Sequence, residues 1–79
     1  MIERFGQKML LLRKQRGMSL QNLANALGYT GTAYLSRVET GQRQPSLELA
    51  IKLADLFGVT VDQLVRDELE LDPDSGKNA

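Results

Sequence analysis

A chain of 79 residues makes at most one domain, with room for one small core and none for a substrate cleft with a lid. It contains no Cys and no His, which excludes disulfides, thiolate or imidazole metal sites, Ser-His-Asp triads and His general bases. The formal net charge of zero hides an asymmetry. Residues 1–66 hold nine Lys/Arg against five acids, whereas residues 67–79 hold five acids against Lys77 alone, so a mildly basic body precedes an acidic tail. No apolar run approaches the ~20 residues of a membrane helix, and Met1-Ile2-Glu3-Arg4 does not lead into a signal-peptide core. A cytoplasmic, nucleoid-associated protein is expected, with no membrane partner.

The apolar periodicity predicts five helices and no strand. The first runs from about Ile2 to Arg16, with Phe5, Met9 and Leu12 on one face and Gly17 as its stop. Ser19 caps the second, whose stripe is Leu20, Leu23, Ala24 and Leu27, ended by Gly28. The third spans about Thr32 to Glu39, with Leu35 and Val38 inward and Gly41 closing it. Ser46 caps the fourth, with Leu47, Ala50, Ile51 and Ala54 expected inward, ending at Phe57-Gly58. Thr60-Val61-Asp62-Gln63 matches a capping box for the fifth, with Val61, Leu64 and Val65 toward the core. Residues 1–71 are expected to form one domain. Residues 72–79 are polar and acidic and are expected to be a disordered tail dispensable for folding.

Residues 19–39 form two short helices joined by a tight glycine-containing turn, a helix-turn-helix pattern that points to DNA. Helical spacing groups Thr32, Ala33, Ser36 and Arg37 on the outer face of the third helix, opposite Leu35 and Val38. These four are the candidate base readers, with Arg37 suited to a bidentate contact with guanine O6/N7. Gln21 and Asn22 sit at the start of the second helix, where side-chain donors and backbone amides favour a phosphate. Tyr34 offers a hydroxyl to the backbone, and Gln42 and Arg43 lie in the loop expected to run along it, so these five are the candidate phosphate contacts.

Four segments carry a family likeness: Arg13-(x)3-Gly17-Met18-Ser19, Leu23-Ala24-(x)2-Leu27-Gly28, Tyr34-Leu35-Ser36-Arg37-Val38-Glu39-(x)-Gly41 and Pro45-Ser46-Leu47-(x)6-Ala54-(x)3-Gly58-Val59. In order and spacing they resemble the Cro/C1-type (XRE) helix-turn-helix regulators over roughly residues 5–66. The resemblance implies a compact all-α, lambda-repressor-like domain of five helices with its third helix in the major groove. It also implies a homodimer on a palindromic operator and a structural pair between Arg13 and Glu39. Leu20 departs from the family, which usually has Gln there, and Gly28-Tyr29-Thr30-Gly31 makes the turn one residue longer than usual. Leu10, Leu11, Leu49 and Leu56 stand where the family is more often polar or small.

The expected function is a sequence-specific DNA-binding transcriptional regulator, a repressor that occupies its operator as a homodimer. The alternative is a protein-interaction module of the same fold, antitoxin-like or an adaptor, with weak or no DNA binding. An enzyme is excluded by the lack of any catalytic constellation, and no cofactor or metal is expected. Double-stranded DNA and a second copy are the expected partners, with a regulatory protein as a further one. Val61, Leu64, Val65 and Leu69 are the expected dimer face, with Leu49 and Leu56 as the other candidate surface.

Overall fold

Three of the five helices start where a hydroxyl residue caps them. A computed structural model describes residues 2–71, in the order α1 (Phe5–Gln15), α2 (Leu20–Leu27), α3 (Ala33–Glu39), α4 (Leu47–Phe57) and α5 (Val61–Val65). No strand occurs among the described residues, so the fold is the five-helix, all-α arrangement that the periodicity predicts. The acidic tail expected from residue 72 onward lies outside the described residues. Ser19, Ser46 and Thr60 each accept a hydrogen bond from the amide three residues on, at α2, α4 and α5 respectively. The Thr60–Gln63 capping box is present. A second one joins Ser19 to Asn22.

The helices surround one core. α1 packs on α3 and α5, α2 on α3 and α4, and α4 on α5. Met9, Leu23, Leu35, Leu49, Leu53 and Leu64 are fully enclosed. Two expectations fail here. On α4, Leu47 and Ile51 point outward, 71% and 45% exposed, while Leu49, Leu53 and Phe57 enter the core. Glu48, Lys52 and Asp55 share one face at helical spacing, and Ala50, Leu53 and Phe57 on the opposite face are buried. α1 also starts at Phe5, not Ile2.

That late start has a specific cause at the other end of the domain. The Asp67 carboxylate accepts hydrogen bonds from the amides of Glu3 and Arg4 at 2.9–3.0 Å, so a residue beyond α5 caps α1. The Arg4 guanidinium returns the contact, donating to Asp67 O at 2.6 Å and pairing with Glu70 at 3.0 Å. Asp67 and Glu70 are therefore working parts of the folded domain, although they also count in the acidic excess of the C-terminal end. The Arg4 and Glu3 amides hold the Asp67 carboxyl below its ordinary range, and the Arg4 guanidinium does the same for Glu70. A lowered folded pKa means that this stabilisation is present at neutral pH and is lost as pH falls through the folded values. The melting temperature is expected to be flat near neutrality and to fall as pH drops below about 4.5. In Asp67→Asn it should start lower at pH 7 and fall less steeply, as measured by circular dichroism melts across that range.

Candidate nucleic-acid interface

α3 presents the surface that the sequence singles out. Leu35 and Val38 are buried, which turns Ala33, Ser36 and Arg37 to solvent on one face. Thr32 is the residue before α3, half-buried, and its side chain makes no capping hydrogen bond. Arg37 is exposed and makes no ion pair among the described residues, so its guanidinium is not engaged by the domain. A short helix with a small, polar and cationic outer face fits the major groove, where each base pair shows a distinct set of donors and acceptors.

The turn between α2 and α3 aims that face. Gly28 ends α2 with φ of 86°, a left-handed conformation that costs a residue with a Cβ about 1 kcal/mol or more. The amide of Tyr29 then donates back to Ala24 O at 2.9 Å. Within the turn, the Tyr29 ring packs on the Tyr34 ring with centroids 5.8 Å apart. Leu20, where the family usually has Gln, packs against the core instead of offering a polar group.

The far end of α3 is fixed by an ion pair. Arg13 Nε lies 2.7 Å from Glu39 Oε2 and Nη2 lies 3.2 Å from Oε1, a two-pronged contact. The two side chains are only 15% and 9% exposed, so water screens the pair little. Arg13 Nη1 also donates to Met18 O at 3.1 Å, joining α1, the entry to α2 and the end of α3. The residue pair carries orientation of α3, and no DNA contact is needed to explain it.

The candidate phosphate contacts differ in how they are held. Gln21 Nε2 donates to Asn25 Oδ1 at 3.0 Å, and Asn22 Oδ1 accepts from the Ser19 amide at 3.2 Å. Both side chains are exposed at the N-terminal turn of α2. The Asn22 amide group keeps its NH2 donors, since only its oxygen serves the cap. Gln42 and Arg43 are exposed in the loop after α3, and both of their backbone amides donate to Arg37 O, at 2.8 and 3.2 Å. The Tyr34 hydroxyl accepts a hydrogen bond from the Ser46 amide at 2.8 Å, a contact not anticipated from sequence.

The expected dimer residues do not form one exposed patch. Leu64 is fully buried in the domain's own core, so it is removed from any dimer face in this conformation. Leu49 is equally buried, which removes the Leu49–Leu56 surface. Val61 and Val65 are half-buried and Leu69 is 37% exposed.

A recognition helix held by a tight turn and an ion pair, with a cationic loop at its end, defines a helix-turn-helix DNA-binding domain. A helix-turn-helix family model matches residues 9–64. Among named proteins, the chain is 46% identical over 57 residues to the HTH-type transcriptional regulator AnsR of Bacillus subtilis, covering 72% of this chain and 48% of that protein. It is 36% identical over 63 residues to the cryptic phage CTXphi transcriptional repressor RstR of Vibrio cholerae, covering 80% and 56%. It is 32% identical over 79 residues to the prophage-derived HTH-type regulator YonR of Bacillus subtilis, covering 90% and 72%. The chain thus spans about half the length of AnsR and RstR. No solved structure matches. The chain belongs to the Cro/C1-type (XRE) helix-turn-helix family, a class of DNA-binding transcriptional regulators and not of enzymes. No described helix is long and apolar enough to cross a membrane.

Proposed function

We propose that this chain is a sequence-specific transcriptional repressor that binds a palindromic operator as a homodimer and excludes other proteins from the promoter. The observation that carries the reading is the outer face of α3, with Ala33, Ser36 and an unengaged Arg37 exposed together. Thr32 extends that face at the helix start, and its hydroxyl has no capping duty. Arg43 and Gln42 follow as backbone contacts in the adjoining loop, and Gln21 and Asn22 do the same at the start of α2. A domain of this size makes few phosphate contacts, so two copies on neighbouring half-sites are needed for tight binding. Val61, Val65 and Leu69 form the proposed contact between copies. The relatives named as regulators and as a phage repressor support the same direction.

Footprinting on a site enriched from random duplex DNA should show two protected half-sites about one helical turn apart. Arg37→Ala should cost ~1–3 kcal/mol and relax preference at one base pair per half-site. Arg43→Ala should instead weaken binding to all sequences alike and lower the salt slope by about one per subunit. A single unpaired footprint, or an Arg37→Ala variant with unchanged base preference, rejects the assignment.

A further inference from the structure

α3 holds Arg43 at two points and the loop that carries it at a third. Its backbone amide donates to Arg37 O at 3.2 Å. Its guanidinium carbon lies 5.9 Å from the centroid of the Tyr34 ring, at the outer edge of a cation–π contact. Three residues further on, the Ser46 amide donates to the Tyr34 hydroxyl at 2.8 Å, which pins the end of the loop at the start of α4. The Tyr34 ring is itself braced by Tyr29 at 5.8 Å. Lys52 closes the set: its Nζ sits 5.0 Å from the Tyr29 ring centroid and donates to Leu27 O, at the end of α2, at 3.0 Å.

We infer that Tyr34 is a positioning residue that presents Arg43 to the DNA backbone, so that base reading by Arg37 and backbone clamping by Arg43 belong to one rigid unit. The inference rests on the DNA-binding reading above. An unrestrained arginine side chain samples many rotamers, and ordering it before binding reduces the cost paid on the DNA. Tyr34 does this through two separable parts. Its ring restrains the Arg43 guanidinium, and its hydroxyl restrains the loop that carries Arg43. A direct phosphate contact by the Tyr34 hydroxyl would act independently of Arg43. A positioning role makes the two residues depend on each other.

The test is a double-mutant cycle in the full chain, with Tyr34→Leu, Tyr34→Phe and Arg43→Ala alone and combined. Dissociation constants are measured on sheared genomic duplex of mixed sequence over a salt series, with circular dichroism melts to check the fold. Arg43→Ala should weaken binding about tenfold in the native background and less than about twofold after Tyr34→Leu. Tyr34→Leu alone should lower the salt slope by about one, and the double variant should lower it no further. Should Tyr34→Leu fail to fold, Tyr34→Phe carries the same cycle, with the Arg43→Ala penalty reduced about threefold. Equal penalties in every background, with additive salt slopes, would overturn the proposal and leave Tyr34 a phosphate contact or a packing residue. Absence of salt-dependent binding by the unaltered chain is a separate result and rejects the DNA-binding reading itself.

Discussion

The Gly6→Ala variant is expected to melt about 10 °C lower than the native chain, although alanine is the better helix former by about 1 kcal/mol. Gly6 lies in the first turn of α1, buried where that helix crosses the end of α3. A Cβ there would collide with Val38 O and would come within 2.8 Å of Glu39 O and 2.9 Å of Glu39 Cα. All three are backbone atoms of a helix, which cannot swing aside as a flexible side chain does. Relief requires α1 and α3 to separate, at a cost of about 1–3 kcal/mol. The same movement pulls Glu39 from Arg13 and tilts the recognition helix. DNA affinity should therefore fall together with stability. Gly31→Ala is the control. That glycine has open space around it and no positive φ, so its variant should melt within a degree or two of the native chain. Equal melting temperatures for both variants would show that the α1–α3 crossing is loose.

Much of the fold and of the candidate interface is legible in the sequence because it depends on short spacings. The hydroxyl residues Ser19, Ser46 and Thr60 mark helix starts by local chemistry, and each caps its helix. The outer face Ala33, Ser36 and Arg37 follows from the burial of Leu35 and Val38 at helical period. On α4 the apolar residues run nearly all round, so periodicity alone does not fix which of them turn inward. The Arg13–Glu39 pair enters through family likeness, since no spacing rule joins residues on different helices. Contacts between ends of the chain leave no local trace. Asp67 capping α1 joins positions 63 and 64 residues apart, and Tyr34 reaches Ser46 only because the intervening loop folds back. Lys8 did leave a signal: it shares the stripe of Phe5, Met9 and Leu12, where a charge on a buried face demands a partner.

Lys8→Met is expected to be strongly damaging, lowering stability by about 3–5 kcal/mol, because it leaves three backbone carbonyls without their donor at about 1–3 kcal/mol each, less the ammonium's own desolvation cost. Lys8 is 3% exposed although charged. Its ammonium donates to three backbone carbonyls, Gln63 O at 2.6 Å, Arg66 O at 2.8 Å and Leu69 O at 2.7 Å. An ammonium has three N–H donors, so the contact uses its full capacity. The carbonyls belong to the last turn of α5 and the chain beyond it, where a helix leaves acceptors without intrahelical donors and where its dipole favours a cation. Burial, and then the nearby Arg4, push the Lys8 pKa down, while Asp67 and Glu70 oppose this. Methionine matches the stem in length and shape and adds apolar contact. It cannot satisfy the carbonyls, and no substitution removes those. The usual benefit of replacing a buried ionic group by a hydrophobic one is therefore absent, because it depends on replacing both partners. A domain of this size has a total stability near the low end of 5–15 kcal/mol, so the loss removes much of it. The melting temperature should drop by about 15 °C or more. Amide hydrogen exchange should show residues 64–71 losing protection first, since they lose their anchor to α1. A Lys8→Met variant with native melting temperature and native protection there would mean that water serves those carbonyls and that α5 does not depend on α1.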